Sequence, residues 1–382
     1  MGRDGAVTTR FAVAARLSLG TASALGFARF AYGLVLPGMR DDLGWTLAAA
    51  GAMSTANGLG YLVGALAAAP LVRRLGTTAA FRWGMATTAL TLAGIAVSAD
   101  FTVLLVVRAA SGVSGALVFV TGGVIAARAN VLTVYFAGAG LGIVVSGATI
   151  PALGDHWRVV WLGMGLAAAL ATAISWTAAR TEDAPGDAGG KADLRALAPV
   201  AVAYALFAVG YITYITFLSA YLADRGTPVV GVALTWTVLG LAVVCAPVLW
   251  DRPLRTWPGG RALAAVLALL GASAALALTG AVVPSAVLYG LTFMCVPAAV
   301  TVLIKARAAD PTATLAAFTT VFAAGQTVGP WLAGLVADRT STDATLVWTA
   351  VLCWAGAAVA LAVRPENQRD RETELRRRAA GR

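Results

Sequence analysis

The sequence predicts an all-α integral membrane protein with twelve transmembrane helices in two pseudo-symmetric six-helix bundles. Three observations carry this prediction: the composition, the number of long apolar runs, and short motifs repeated in the two halves. Of the 382 residues, 59% are hydrophobic and only 12% are charged. Soluble proteins have about twice that share of charged residues. The composition therefore excludes an ordinary soluble domain.

Twelve apolar runs follow one another along the chain, and each predicts one spanning helix. They cover residues 11–36, 47–72, 78–98, 101–126, 131–150, 157–179, 196–221, 228–249, 262–282, 284–304, 314–337 and 345–363. Pro37 follows the first run directly, and a proline disfavours helical backbone at the residue before it. We therefore expect the first helix to end there.

The positions of the basic residues indicate how these helices are oriented. The formal net charge is +10, and 22 of the 28 lysines and arginines fall on the side of the predicted membrane that carries both termini. Cytoplasmic loops show such an excess, so both termini are expected in the cytoplasm. Contact with anionic lipid headgroups explains the basic excess. We expect no nucleic-acid partner.

A polar stretch, residues 180–194, divides the chain into halves of six runs each and is typical of a flexible linker. Gly26-Phe-Ala-Arg-Phe-Ala-Tyr-Gly-Leu in the first half aligns with Gly210-Tyr-Ile-Thr-Tyr-Ile-Thr-Phe-Leu in the second at a shift of 184 residues. Gly44 and Gly226 align at a shift of 182. We predict an N-terminal bundle (1–179), a cytoplasmic linker (180–194), a C-terminal bundle (195–364) and a charged cytoplasmic tail (365–382). Paired repeats of this kind bind a solute near the membrane midplane in transporters.

Several motifs resemble those of a known family. The Gly26 motif, with the following Leu36-Pro37 and Asp42-Leu-Gly-Trp45, and the Gly210 motif are similar to signatures of the bacterial YbfB/YjiJ group of the major facilitator superfamily. Arg108-Ala-Ala-Ser-Gly112 resembles the fourth-helix motif of that superfamily. The resemblance implies a multi-pass secondary transporter of the bacterial plasma membrane. The first, fourth, seventh and tenth helices would line a central cavity, and the two bundles would rock about it.

The loop between the second and third runs departs from the superfamily's pattern. An acid usually stands there and helps to lock one conformation, whereas this chain has Arg73-Arg74-Leu-Gly76, with Arg73 in the acid's place. The resemblance therefore implies a weak inner gate formed by Arg73, Arg74 and Gly76. Asp251 and Arg252, before the ninth run, would supply its partners from the other half.

Two arginines lie inside predicted helices. At the helical rise per residue, Arg29 lies about 12 Å from the expected end at Pro37, and Arg108 about 10 Å from the start of the fourth run. Intramembrane charges usually face a protein interior or a water-filled cavity, and all 18 acidic residues lie in loops, termini or helix ends. We expect an uncompensated positive pair that attracts an anion. Two alternatives stay open: each guanidinium binds backbone carbonyls, or Arg29 reaches the outer headgroups.

The predicted substrate site combines the two arginines with polar and aromatic residues of other helices. Its candidates are Arg29, Tyr32, Asn57, Tyr61, Arg108, Tyr211, Tyr214, Thr216, Tyr289 and Gln326. One histidine at the rim and no carboxylate inside a run do not furnish catalytic groups. We therefore expect no enzyme, metal site or cofactor.

The expected function is secondary transport of a small organic anion across the plasma membrane. The expected partners are this substrate, the lipid bilayer, and protons or a counter-anion, with the protein acting as a monomer. A multidrug or metabolite efflux antiporter and a non-transporting receptor remain alternatives. The cavity of a receptor could look identical, whereas the two arginines and the missing intramembrane acids oppose export of lipophilic cations.

The predicted topology is tested by reporter tags at both termini and in the linker. All three tags should report the cytoplasm, because the positive-inside rule places these segments on one side. A tag at Gly44 serves as the control and should report the opposite side. A linker tag on that opposite side would contradict the twelve-helix prediction.

Overall fold

The computed structural model describes residues 3–154, 156–179 and 197–364, and these residues form twelve long helices. The first, α1, consists of Arg3–Thr21, a π-helical segment Ala22–Phe30, and Tyr32–Leu43. The others are α2 (Leu47–Leu75), α3 (Thr77–Ile95), α4 (Phe101–Arg128), α5 (Leu132–Thr149, extended by a short turn Ile150–Leu153), α6 (Trp157–Ser175), α7 (Ala198–Asp224), α8 (Val229–Thr256), α9 (Arg261–Leu278), α10 (Val282–Gly290 and Cys295–Arg307), α11 (Pro311–Asp338) and α12 (Asp343–Leu361).

Eleven of these helices are long and apolar enough to cross a membrane within the described ranges, and α3 lies between two of them as the twelfth. The predicted all-α membrane fold with twelve helices is confirmed. The proposed linker (180–194) and tail (365–382) lie outside the described residues, so the predicted domain boundaries stay predictions. Below, α1–α6 are called the N half and α7–α12 the C half.

The prediction that the first helix ends at Pro37 is wrong. Pro37 lies inside α1, which continues to Leu43. The helix ends at Gly44, whose positive φ of 64° closes the last turn through a bond from its N–H to the Arg40 carbonyl. Proline is tolerated inside membrane helices where packing and local adjustments satisfy the freed backbone groups. Arg29 therefore lies fourteen residues from the end of its helix, or about 21 Å, close to the middle of a bilayer.

Glycines of α5 explain two of the close helix contacts. Gly138 and Gly142 approach the backbone of Ser18, Ala22 and Gly26 on α1 so closely that a Cβ atom would clash. The four-residue spacing on both helices is the small-residue packing common in membranes. Gly140 instead faces Gly240 of α8 in the other half. One face of α5 thus binds its own half, and another forms the boundary between halves.

The two halves are joined at one end, here called the outer end, which comprises the turns at 44–46, 96–100, 225–228 and 339–342. The opposite end, which carries the turns at 76, 129–131, 257–260 and 308–310, is called the inner end. Asp338, the last residue of α11, accepts hydrogen bonds from the backbone N–H groups of Leu47 and Ala48 at 2.7 and 2.9 Å. A carboxylate at a helix N-terminus satisfies free N–H groups and the helix dipole. Arg40 and Asp224 add an ion pair of 3.6 Å between α1 and α7.

The predicted gating residues lie at the inner end. Arg73 and Arg74 are exposed at the end of α2, and Gly76 has a positive φ of 80° between α2 and α3. Asp251 forms its ion pair with Arg255 of the same helix at 2.7 Å. Between described residues, no hydrogen bond or ion pair joins the halves on the inner side of Arg29. The roles of Arg73, Arg74, Gly76, Asp251 and Arg252 in gating stay predictions.

Removing the charge of Asp338 should open the outer end. In Asp338→Asn the contact with the α2 N-terminus loses about 1 kcal/mol, so populations should shift toward longer distances between the halves. Spin labels at Asp41 and Val230, in a Cys245→Ala background, would report the distance between the halves by electron paramagnetic resonance. Asp343→Asn is a matched control, since Asp343 pairs with Arg225 at the same end but within the C half. Equal distance distributions in both variants would mean that Asp338 does not hold the halves together.

Candidate functional site

Arg29 lies at the boundary between the two halves. The residue is only 7% exposed, and its Nη2 donates a hydrogen bond of 2.6 Å to Oε1 of Gln326 on α11. The hydroxyl of Tyr211 on α7 donates to the same oxygen at 3.0 Å. The guanidinium carbon also lies 5.2 Å from the ring centre of Tyr61 on α2, a cation–π distance. Residues of four helices from both halves therefore meet at this arginine.

The charge of Arg29 has no acidic partner among the described residues. The ion pairs there, Arg40–Asp224, Arg158–Asp42, Arg225–Asp343 and Arg255–Asp251, all lie at helix ends and are partly exposed. Two hydrogen-bond donors at the site are also unused: Arg29 Nε and Gln326 Nε2 are buried without a partner. A buried donor without an acceptor is costly, so the site favours a ligand that supplies acceptor atoms and negative charge.

Arg108 has a different environment, inside the N half. Its Nη1 donates to the Ala28 carbonyl at 2.7 Å and its Nε to the Met53 carbonyl at 3.4 Å. The guanidinium carbon lies 4.6 Å from the ring centre of Tyr32 and 5.5 Å from that of Trp161. Of the alternatives open from sequence, the carbonyl-binding one describes Arg108. It ties α4 to the π-helical segment that carries Arg29.

The other predicted site residues divide between the interior of one half and the boundary. In the N half, Tyr32 donates to the Ala50 carbonyl and Asn57 to the Arg108 carbonyl. In the C half, the Tyr214 and Ser285 hydroxyls share a hydrogen bond, and Tyr289 donates to the Tyr211 carbonyl. At the boundary, the hydroxyls of Thr216 and Ser54 lie 3.1 Å apart. The structure thus brings Arg29, Tyr61, Tyr211, Thr216 and Gln326 to the boundary, and substrate contact by any of the ten stays a prediction.

Two groups of aromatic rings flank Arg29, and most of these rings were not predicted as site residues from the sequence. The C-half ring cluster consists of Tyr204, Phe207, Tyr211, Phe318 and Phe322, with neighbouring centres 4.6–6.2 Å apart in near-parallel stacks. The N-half ring cluster consists of Tyr61, Phe119, Tyr135 and Phe136, with centres 5.5–6.3 Å apart. The four-residue steps from Phe318 to Phe322 and Gln326 put these residues on one helix face. This four-residue spacing is the sequence pattern from which the two phenylalanines could have been placed beside Gln326.

Comparisons with known proteins bear on this arrangement. The family described as "Uncharacterised MFS-type transporter YbfB" matches residues 21–363. No curated protein matches the sequence. Among solved structures, a mutant of the nucleoside transporter NupG has a TM-score of 0.71 at 13% identity, covering 90% of this chain and 99% of that one. A bacterial homologue of the human lysosomal transporter Spinster, inward-facing and occupied, has a TM-score of 0.70 at 15% identity, covering 95% and 98%. Identities this low indicate a shared fold only.

The two arginines should respond differently to substitution. Arg108→Gln should destabilise the protein by about 2 kcal/mol, because buried carbonyls lose a charged donor. Arg29→Gln should cost less, since Arg29 binds side chains and its charge is uncompensated. Thermal unfolding of both purified variants in the same detergent measures the difference. Equal losses would contradict the structural role assigned to Arg108.

Proposed function

Because the chain belongs to the YbfB-type family of major facilitator superfamily transporters, we propose that it carries an organic anion by alternating access, with Arg29 as the anion-binding residue. The family consists of transporters rather than enzymes, as the sequence predicts, and the chain is a multi-pass membrane protein. The substrate, the coupling and the binding role of Arg29 are the proposal. The observation that carries it is the buried guanidinium of Arg29 between the halves, whose partners among the described residues are all neutral.

The cost of this charge supports an anionic substrate. An arginine in the middle of a bilayer costs about 3 kcal/mol on insertion scales, and the neutral groups of Gln326 and Tyr211 compensate only part of it. A carboxylate entering the site would gain charge-assisted hydrogen bonds from Arg29 Nε and Gln326 Nε2, the two unused donors. A cation at the same place would be repelled, because low-dielectric surroundings strengthen the interaction.

The position of the site supports alternating access. Arg29 is part of the N half, whereas Gln326 and Tyr211 are part of the C half, so one bound ligand contacts both. Counted from the outer ends of their helices, Arg29 and Gln326 lie fourteen and twelve residues in, or about 18–21 Å. Their hydrogen bond is the innermost polar contact between the halves in the described residues. A ligand that replaces the Arg29–Gln326 hydrogen bond would therefore bind at the depth where the two halves begin to separate.

The coupling is proposed from the same chemistry. We propose that the driving ion is a proton carried with the substrate or a second anion moving in exchange, because the described membrane interior offers Arg29 no carboxylate that would carry the proton. Multidrug export of lipophilic cations is the weaker alternative, since it would place a cation beside Arg29. A non-transporting receptor would bind the same ligands and is separated from a transporter only by measured flux.

Binding should require the planar guanidinium of Arg29. Benzoate, lactate and succinate are suitable carboxylate probes, with tetraphenylphosphonium as the cationic comparison. At least one carboxylate should raise the unfolding temperature of the purified protein and exchange in counterflow with proteoliposomes. Arg29→Gln should weaken its binding about 10- to 100-fold, as expected for loss of a charge-assisted hydrogen bond. Arg29→Lys should show a smaller loss, because the charge stays and the fork is lost.

Arg16→Gln provides the matched control. Arg16 lies on the same helix, is exposed and contacts Thr177, so its substitution should leave binding unchanged. The proposal fails if Arg29→Gln folds and binds the carboxylates with unchanged affinity, or if only the cation binds. Binding without counterflow would favour the receptor.

A further inference from the structure

Apart from Tyr61 and Tyr211, which lie at Arg29 itself, both ring clusters lie on the inner side of Arg29. On α7, Phe207 and Tyr204 lie one and two turns inward of Tyr211, and on α11, Phe322 and Phe318 lie one and two turns inward of Gln326. On α4, Phe119 lies eighteen residues from the outer end of its helix, or about 27 Å. A solute that moves between Arg29 and the inner end thus crosses the depth of one ring cluster in each half.

Both ring clusters contain rings that are only partly buried. Phe322 stacks on Tyr204, Phe207 and Tyr211 with interplanar angles of 16–22°, but it is only partly buried. In the N half, Phe119 and Phe136 are also partly buried, while Tyr61 and Tyr135 are buried. Each cluster thus has ring surface left for a further partner. Planar rings stack on such surface with a preference beyond the area they bury.

The charge available at the site limits the ligand to one carboxylate. Arg108 is engaged with the carbonyls of Ala28 and Met53, so Arg29 is the guanidinium with a free donor. A second carboxylate would lie among the rings without a cation, and a buried unpaired charge is strongly unfavourable. A ligand whose uncharged part carries many hydroxyl groups would also bind less favourably among the rings, although the penalty is smaller than for a second carboxylate.

We propose that the substrate class is an aromatic monocarboxylate. Its carboxylate binds Arg29 and Gln326, and its ring lies on the inner side against Phe119 of the N half and Phe322 of the C half. This inference rests on the proposed function, since it takes the anion-binding role of Arg29 as given. It adds that the uncharged part of the ligand is an aromatic ring and that Phe119 and Phe322 determine the specificity for it.

Four probes of similar size separate the contributions of ring and charge in the full-length protein. Benzoate carries both, cyclohexanecarboxylate has the charge without an aromatic ring, benzamide has the ring without the charge, and succinate has two charges and no ring. Benzoate should bind about two- to tenfold tighter than cyclohexanecarboxylate, the range expected for one aromatic contact. Benzamide and succinate should bind more weakly than both.

Leucine substitutions test the two phenylalanines. Phe119→Leu and Phe322→Leu keep an apolar side chain and should each reduce the preference for benzoate over cyclohexanecarboxylate, with little change for the latter. Phe101→Leu is the control, because Phe101 lies at the outer end of α4 against Trp45. The two tested residues belong to different halves, so poor folding of one variant leaves the other informative.

The outcomes separate this inference from the proposed function. Equal affinity for benzoate and cyclohexanecarboxylate, tighter binding of succinate, or no binding of benzoate at millimolar concentration overturns the aromatic inference. The anion-binding proposal survives those results if Arg29→Gln still weakens binding of the carboxylate that does bind by about 10- to 100-fold. Benzamide binding as tightly as benzoate and independently of Arg29 would overturn both.

Discussion

The arrangement of the two halves around their boundary depends on one buried, unneutralised guanidinium. Arg29 lies near the middle of the membrane, in a π-helical segment of an otherwise α-helical chain. Its hydrogen bond to Gln326 crosses the boundary. A charge in that place is unfavourable without a counter-charge, and the Gln326 oxygen and the Tyr61 ring compensate only part of this cost. π-helical segments are frequent at functional sites, and this one presents the arginine to the opposite half.

Arg108 shows why the segment holds its position. Arg108 donates hydrogen bonds to the carbonyls of Ala28 and Met53, and its guanidinium lies within cation–π distance of the rings of Tyr32 and Trp161. One arginine thus fixes the backbone beside the other. Gly142 of α5 holds the same segment from another side through close backbone contact with Ala22 and Gly26. The charged side chain that faces the boundary is therefore carried by a rigid part of the N half, which favours a binding site of defined geometry.

Among the described residues, the polar contacts between the halves are unequal along the membrane normal. Asp338 and the Arg40–Asp224 pair hold the outer end. On the inner side of Arg29, the described residues of the two halves share no polar bond. The departure at Arg73, where an acid is usual in the superfamily, agrees with this asymmetry. The strong polar contact between the halves is instead made by Asp338 of α11 at the start of α2. It lies at the outer end, whereas the gate expected from the superfamily would lie at the inner end.

Sequence alone determined the helix number and the arginine inside the first helix, because these depend on local composition and chain order, while the orientation stays a prediction. It also indicated the repeat: Gly44 and Gly226 end α1 and α7 with nearly equal φ angles of 64° and 62°. It failed at Pro37, since neighbouring helices allow α1 to continue. Only the tertiary structure decided that Arg29 faces the other half while Arg108 binds carbonyls in its own. Both arginines carry the same local signal, and the direction of a buried side chain is set by the acceptors that packing places within its reach.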